Sequence, residues 1–323
     1  MAKFAIYFKF DFINRPNHLG GGDWPNTADM QTYFGQALTL VAAYGFDAVI
    51  TRPEEKNQWS NVTFRRWFMD QCQTLGLEVW YRAKAPSDAS RDGVAVQAYI
   101  DNIYTHPACT RVMYGDETKG LDAAPEKDIL SIRTELAVVK AAFPSMPVSS
   151  NLIGETMART EITVNPFDGN FDYEVDFDIN GVLWGLMGAD FKVARHYSVR
   201  RTYNHNTNPY YDKYIIKLED WLDELNWRDS NGVPVIQGFG SGTAVDNASF
   251  WRFPTYTELY DMLNLARQRF NWVAIFSVGQ IDNDTRTANP AFQIMNEDFS
   301  EPLAHDGSRP ADAVRDIISA FGT

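Results

Sequence analysis

The sequence predicts an α/β protein, a single (β/α)₈ barrel with long loops at the C-terminal face of its strands. Three observations predict this fold. A unit of helix-like stretch, glycine and β-prone run recurs three times, with its glycine at Gly45, Gly76 and Gly188. Eight strand–helix pairs fit into 323 residues, a count that suits a closed barrel better than an open sheet. No glycine-rich phosphate-binding fingerprint follows the first predicted strand.

The recurrent unit anchors the predicted elements. Its glycine permits the left-handed conformation in which many helices end, and the run that follows is typical of a strand buried in a parallel sheet. The pattern predicts strands at residues 3–10, 47–52, 78–84, 111–116, 147–151, 190–197, 234–239 and 272–279. It predicts helices at residues 27–44, 60–75, 92–104, 126–142, 178–188, 211–226, 256–269 and 310–321.

The sixth strand has a second interpretation. Acidic residues alternate with apolar ones over residues 172–178, which is also typical of a strand. The unit at Gly188 favours residues 190–197 and makes the earlier segment part of a long loop. Neither a linker nor a low-complexity segment divides the chain, so residues 1–323 are predicted to form one domain.

Composition excludes several classes of protein. The net charge is −13, whereas proteins that bind nucleic acids or anionic membranes do so through clustered Lys and Arg. Neither a nucleic acid nor a membrane is therefore expected as a partner. A disulfide framework is excluded, because Cys72 and Cys109 are the only cysteines; both are expected to be reduced and structural. Neither a membrane span nor a signal peptide is visible. We therefore expect a cytoplasmic protein, one exported without a visible signal, or one trimmed of its export signal, and the sequence does not specify its oligomeric state.

Barrel enzymes carry their chemistry where strands end. The fourth predicted strand runs into Tyr114-Gly115-Asp116-Glu117, and two close carboxylates repel, which raises one pKa as general acid catalysis requires. Alternation sends only one of the two inward, so we expect the strand to break at Gly115, where glycine permits it. Otherwise Asp116 caps a turn and Glu117 is solvated.

This stretch resembles the Gly-Gly-Asp-Glu motif of family 20 β-N-acetylhexosaminidases, which also follows the fourth strand of a (β/α)₈ barrel. In that family the Glu is the acid/base, and the Asp orients the acetamido group of the substrate, which acts as nucleophile. The resemblance implies these roles for Glu117 and Asp116. Tyr114 departs from the motif, where the family has its first Gly.

Many retaining barrel glycosidases instead use a second Glu as nucleophile, after strand seven. Here the seventh predicted strand carries Gln237 at that position. A second carboxylate would have to come from Asp11, Glu155 or Asp282, each placed at or after a strand end.

Other side chains at predicted strand ends are candidates for substrate binding. Three cations there, Arg52, Arg82 and Lys84, suit an anionic sugar or balance the carboxylates. The alternative is that they form ion pairs that stabilise the rim of the barrel. Trp80 and Trp251 are candidate stacking platforms for sugar rings. The remaining candidates are Asp11, Asn151, His196, Tyr197, Gln237 and Gln280. The five His residues lack metal-binding spacing, and neither a metal nor a cofactor is predicted.

The leading hypothesis is a glycoside hydrolase that acts on a polysaccharide or glycan, with Glu117 as proton donor. The first alternative is a glycan-binding barrel without catalysis, since a Glu is missing after strand seven. The second alternative is a lyase or isomerase that uses the strand-end cations on an anionic small molecule. Fold by itself does not decide between them.

Overall fold

The computed structural model describes residues 1–10, 12, 15–51, 62–83, 103–118, 137, 140–141, 144–153, 162–164, 171–173, 190–191, 193–196, 218–219, 221–223, 225–226, 230–241, 253–279, 291–304 and 306–322. Four helices have defined bounds: α1 (Thr27–Ala43), α2 (Val62–Thr74), α3 (Tyr256–Arg269) and α4 (Pro310–Phe321). They match four of the predicted helices closely. Residues 218–226 include further helical residues, and the helices predicted at 92–104, 126–142 and 178–188 lie largely or wholly outside the described residues.

Twelve strands are described, and the eight that form the main sheet each overlap a different one of the eight predicted strands. They are β1 (Lys3–Phe8), β2 (Ala48–Thr51), β3 (Glu78–Ala83), β4 (Cys109–Thr118), β5 (Val148–Ile153), β6 (Ile162–Val164), β7 (Phe171–Tyr173), β8 (Val193–His196), β9 (Val233–Gln237), β10 (Phe239–Ser241), β11 (Trp272–Val278) and β12 (Ala291–Gln293).

The main sheet is parallel and curls until its hydrogen-bonded order closes. The order is β1-β11-β9-β8-β5-β4-β3-β2, and β2 pairs with β1. The predicted α/β class and parallel sheet are confirmed. Strand β8 pairs in parallel with β5 and β9, so the sixth strand lies within residues 190–197. The alternative at 172–178 is wrong, because β7 pairs antiparallel with β6 in a separate two-stranded sheet.

Two of the three glycines of the recurrent unit take the backbone conformation predicted for them, and the third, Gly188, lies outside the described residues. Gly45 and Gly76 have φ angles of 88° and 74°, in the left-handed region that glycine adopts without steric cost. Gly45 N–H donates to Ala42 O at 2.9 Å, and Gly76 N–H donates to Gln73 O at 3.1 Å. Each glycine therefore ends its helix and turns the chain into the next strand.

The acidic residue two positions after the glycine fastens adjacent strands together. Asp47 Oδ2 accepts a hydrogen bond from Phe4 N–H at 2.7 Å, and Asp190 Oδ2 accepts one from Val148 N–H at 3.0 Å. Both bonds join the start of one strand to the start of its neighbour. The repeated Gly-x-Asp sequence thus has a structural role at the N-terminal end of the sheet.

Two cores lie on the two faces of the sheet, as alternation along a strand requires. On β3, Trp80 points into the barrel and Tyr81 points to the helix layer. The interior core consists of Ala5, Tyr7, Ala48, Ile50, Trp80, Met113, Phe191, Val193, Val233, Val235, Ala274 and Phe276. The larger core fills the space between sheet and helices and is rich in aromatic residues near Phe8 and Phe34.

Capping bonds fix where helices begin. Asn26 Oδ1 accepts from Asp29 N–H at 2.9 Å at the start of α1. Thr255 and Glu258 form a reciprocal capping box at the start of α3, a motif that satisfies two otherwise unpaired backbone donors.

None of the helices in the described part of the chain is long and apolar enough to cross a membrane.

An ion pair fastens α4 to the segment that precedes it. Arg315 donates to Glu301 Oε1 and Oε2 at 2.5 and 2.9 Å, and Tyr44 Oη donates to Oε1 at 2.5 Å. The hydrogen bonds from Arg315 hold the pKa of the Glu301 carboxyl below its usual range, with a further contribution from Tyr44. Burial and the bond to Glu301 raise the pKa of Tyr44.

Both cysteines are free and buried, as predicted. Burial raises the pKa of the Cys109 thiol to about 12 and raises that of the Cys72 thiol as well. Both therefore remain protonated at neutral pH and act as small apolar side chains.

Candidate active site

The candidate site is the mouth formed by the C-terminal ends of the strands of the main sheet, where parallel barrels carry their chemistry. We call this end the mouth. Four candidates lie on three consecutive strands of the sheet order, β3, β4 and β5. Arg82 is the last residue but one of β3, Asp116 and Glu117 lie near the end of β4, and Asn151 lies in the second half of β5. His196 ends the next strand, β8.

The acid pair lies in an irregular stretch of β4. Tyr114 pairs with Ser150 of β5, and the next pairing joins Thr118 to Leu152. Three residues of β4, Gly115, Asp116 and Glu117, therefore lie opposite the single residue Asn151. Extra residues on one strand of a pair form a bulge, and bulges are frequent next to active sites.

The predicted break at Gly115 is wrong. Strand β4 continues to Thr118, because the surplus residues are taken up in the bulge and pairing with β5 resumes after them. The interpretation of Asp116 as the cap of a turn is wrong for the same reason. Both carboxylate-bearing residues belong to the strand, at its mouth end.

Gln237 is the last residue of β9 and is fully buried. Val233 and Val235 line the barrel interior, so alternation places Gln237 on the same inward face. Its Nε2 donates to Phe239 O at 3.0 Å. The structure therefore puts an amide where the two-glutamate mechanism places its nucleophile.

Aromatic rings form the described floor of the mouth. Phe276 near the end of β11 lies 5.1 Å from the ring of Tyr7 and 5.4 Å from that of Phe239. The ammonium group of Lys9 lies 5.4 Å above the Phe276 ring. Rings beside a cation suit a polyol with one apolar face. We refer to Tyr7, Phe239 and Phe276 as the aromatic floor.

A two-stranded ribbon flanks the mouth. Strand β10 starts two residues after β9 ends and pairs antiparallel with β12. Ser277 Oγ donates to Gln293 Oε1 at 3.0 Å and ties β11 to this ribbon. The peptide bond between Phe276 and Ser277 is cis.

Trp80 lies at the other end of the barrel. It is fully buried, and its ring is 4.7 Å from that of Trp272, the first residue of β11. The Arg111 guanidinium lies 4.6 Å from the Trp80 ring. Trp80 is thus a packing residue of the barrel, and this position does not support its predicted role as a stacking platform.

Arg111 closes this end of the barrel among aromatic rings. Its guanidinium also contacts Phe191 and Trp272, at 4.8 and 5.3 Å. Burial lowers the pKa of Arg111, and the charge of Glu78 opposes that shift. Glu78 also accepts from Lys3 Nζ at 3.0 Å. This end is therefore filled and ion-paired, which leaves the mouth as the place for chemistry.

The other candidates lie outside the described residues. They are Asp11, Arg52, Lys84, Glu155, Tyr197, Trp251, Gln280 and Asp282. Within the described part of the chain, no cluster of three or more His, Cys, Asp or Glu side chains is arranged to hold a metal ion.

Sequence reasoning missed Lys9 and the aromatic floor as site residues. The signal was available for two of them, because Tyr7 and Lys9 have the same parity on and just after β1 and so share a face. For Phe276 no such signal exists in the sequence, because regular alternation would make Val278 the last inward residue of β11, whereas Val278 packs in the core between sheet and helices.

Comparison with known proteins identifies the fold. No protein-family model and no curated protein matches the sequence. The structure is similar to that of a β-galactosidase from Rahnella sp. R3, with 11% identity, a TM-score of 0.59, and 93% of this chain and 55% of that chain covered. It is similar to a β-glucuronidase from Faecalibacterium prausnitzii, with 12% identity, a TM-score of 0.57, and coverages of 99% and 48%.

A third similar structure is GH5_18 from Streptomyces cattleya in complex with GlcNAc, with 12% identity, a TM-score of 0.56, and coverages of 100% and 81%. The present chain spans about half the length of the first two chains. At these identities the likeness shows a shared barrel-type fold.

Proposed function

We propose that the chain is a single-domain (β/α)₈ barrel, with a helix after each barrel strand, and that it hydrolyses a glycosidic bond in a polysaccharide or glycan. The observation that carries the proposal is the Asp116-Glu117 pair in the bulge at the mouth end of β4. A carboxylic acid beside a carboxylate is the arrangement that glycosidic cleavage needs.

Glu117 is the proposed general acid. It protonates the glycosidic oxygen while the bond from that oxygen to the anomeric carbon breaks, and the positive charge then develops on the sugar ring. The negative charge of Asp116 stabilises this cation or, as the family 20 resemblance implies, orients a 2-acetamido group that attacks the anomeric carbon. Water completes the hydrolysis, and Glu117 recovers its proton from that water.

Two further features support a sugar substrate. Phe239 of the aromatic floor is only partly buried and offers an apolar ring to the mouth, backed by the buried rings of Phe276 and Tyr7. Lys9 provides a charged donor beside the floor. Two of the similar structures are named a β-galactosidase and a β-glucuronidase. A second carboxylate, if the mechanism uses one, comes from Asp11, Glu155 or Asp282.

The test of Glu117 compares two kinds of substrate. A panel of aryl glycosides with good leaving groups first identifies the sugar, and kcat/KM is then measured for that aryl glycoside and for the natural linkage. Glu117→Gln should lose about 10²–10⁴-fold on the natural linkage, because the leaving oxygen needs a proton. The aryl glycoside should lose much less.

Asp116→Asn should impair both substrates, since charge stabilisation does not depend on the leaving group. Glu219→Gln, on the outer surface beside Arg269, is the matched control and should retain activity. Thermal unfolding confirms that each variant folds. Near wild-type activity of Glu117→Gln on the natural linkage would place the proton donor elsewhere, with Glu155 and Asp282 next.

One observation favours a second candidate function, a glycan-binding barrel without catalysis. Gln237 stands where a nucleophilic carboxylate is expected. Saturable binding of a glycan, without turnover of any aryl glycoside in the panel, would establish this function and exclude the first.

The strand-end cations form a finer part of the proposal. Arg52, Arg82 and Lys84, together with Lys9, are proposed to bind an acidic or sulfated glycan. Affinity for anionic oligosaccharides should fall as salt rises, while affinity for neutral ones should change little. Equal affinity for both, without salt dependence, would assign these cations to ion pairs of the rim.

A further inference from the structure

A wide, largely open depression with a volume of about 550 Å³ lies at the rim of the barrel, outside the ring of strands. Its described lining includes Tyr256, Leu303, Ser308, Arg309, Asp312 and Asp316. We call it the rim cavity. It lies where α3 and α4 begin, and the loops that lead into barrel helices lie on the same face as the mouth. Its volume is within the range of small-molecule sites.

One wall of the rim cavity is apolar. Leu303 is 46% exposed, and apart from Met1 it is the only large hydrophobic side chain exposed in the described part of the chain. The ring of Tyr256 lies 5.9 Å from that of Tyr260, with an angle of 14° between the planes. An exposed aliphatic group next to an aromatic face is the surface on which the C–H face of a sugar packs.

The cavity wall is held in place by hydrogen bonds. Tyr256 Oη donates to Asp316 Oδ2 at 2.8 Å, and Tyr256 N–H donates to Ser308 Oγ at 2.9 Å. Ser308 Oγ donates in turn to Asp306 Oδ1 at 2.6 Å. A ligand therefore meets a preformed wall, which lowers the entropy cost of binding.

Polar groups at the other wall supply both a donor and an acceptor. In the described part of the chain, Asp316 Oδ1 accepts no hydrogen bond, while Oδ2 holds Tyr256. In the same part of the chain, Arg309 makes a long contact from Nε to Glu301 Oε2 at 3.8 Å. Its two terminal nitrogens can therefore donate to a ligand. A guanidinium and a carboxylate together match the hydroxyl groups of a sugar, each of which both donates and accepts.

The charges of the cavity argue against other ligand classes. Asp312 and Asp316 disfavour phosphate or a sugar acid. A metal ion would need more ligands, because Asp312 Oδ1 already accepts from Arg315 at 2.5 Å, and no metal-binding cluster exists among the described residues.

We propose that the rim cavity binds a neutral pyranose unit of a glycan, at a distance from the bond that is cleaved. The inference that the ligand is part of a glycan rests on the proposed function; the site itself follows from the cavity. Tyr256 and Leu303 pack against the sugar ring, and Arg309 and Asp316 bind its hydroxyls.

The test is protein-observed NMR of the full chain with labelled leucine methyl groups. The probes are the methyl glycosides of glucose, galactose, mannose and N-acetylglucosamine, with inorganic phosphate as the anion control. At least one glycoside should shift the Leu303 methyl signals with a Kd of about 1–10 mM. Asp316→Ala and Arg309→Ala should each weaken that binding about fivefold or more. Asp223→Ala, a surface carboxylate at a distance from the cavity, should not.

Three outcomes would overturn the rim site. They are no shift of the Leu303 signals by any glycoside up to about 50 mM, tighter binding of phosphate than of every glycoside, or unchanged affinity in both alanine variants. The titration is repeated with Glu117→Gln, which should leave rim binding intact. Binding at the rim cavity without hydrolysis would contradict only the proposed catalysis. Hydrolysis without a shift of the Leu303 signals would contradict only the rim site.

Discussion

The carboxylate of Asp47 accepts a hydrogen bond from the backbone N–H of Phe4 at 2.7 Å, at the end of the sheet opposite the mouth. Asp190 and Val148 repeat the arrangement between β8 and β5, four strands further along the sheet. A sequence unit first recognised as a way to end a helix therefore also aligns the strand that follows it.

Asp47→Ala should lower the free energy of unfolding by about 1–3 kcal/mol, because Phe4 N–H loses its acceptor. Asp47→Asn keeps an acceptor oxygen and should cost less than half as much. Urea unfolding of both variants measures the difference. Equal loss in the two would mean that charge, rather than the bond to Phe4, is what stabilises the strand start.

Gly279→Ala should destabilise the mouth end of β1. Gly279 has a φ of 96°, and an added Cβ would lie 2.5 Å from Phe10 N. Backbone strain costs about 1–2 kcal/mol, and the clash adds to it. Gly76→Ala is the matched control, since Gly76 has a φ of 74° with nothing within 4 Å of its added Cβ. Gly279→Ala should lower thermal stability more than Gly76→Ala does. Equal losses would show that β1 moves enough to relieve the clash.

Gln237→Glu should be tolerated at low pH and destabilising at neutral pH. The new carboxyl is buried, and it faces Phe239 O, which now accepts from Gln237 Nε2. Burial raises its pKa above the usual value of about 4.3, so the penalty grows as pH rises through that value and reaches about 3 kcal/mol. The free energy of unfolding at pH 4 and 7.5 is the readout. A variant equally stable at both would show a site that accepts an anion, which favours the two-glutamate mechanism.

Glu301 should make stability depend on pH in the acid range. Because its folded-state pKa is lowered by Arg315 and Tyr44, its contribution is complete above the unfolded-state pKa. The contribution is lost as pH falls through that value towards the folded-state pKa. Glu301→Gln should cost about 1–2 kcal/mol at pH 7 and flatten the pH dependence below pH 5. An unchanged slope in that range would exclude Glu301 as its source.

Most of the sheet could be predicted because its signals are local. A left-handed glycine followed by a buried β-prone run marks the start of a strand, and the observed strands begin within three residues of the predicted starts. The ambiguity between residues 172–178 and 190–197 was resolved only by pairing, since β7 has a strand-like sequence but pairs with β6.

The site was harder to predict because it depends on register between strands. Alternation showed that Trp80 and Tyr81 face opposite ways, but only the contact with Trp272 shows that Trp80 lies at the closed end. The bulge in β4 likewise depends on the register between two strands, β4 and β5. Nothing in the sequence around Gly115 states how many residues of β5 lie opposite it.

The number of β4 residues in the bulge determines how the acid pair can change without disturbing the strand that carries it. Three residues of β4 stand opposite one of β5, so the surplus is two, an even number, and Thr118 keeps the inward or outward sense that a regular strand would give it. Removing Asp116 and Glu117 together would leave a strand in one-to-one register with β5. Removing only one of them would send every side chain beyond it to the opposite face of the sheet. The pair is in effect an insertion that the barrel can carry or lose whole, so its chemistry can change without a change in the framework that holds it.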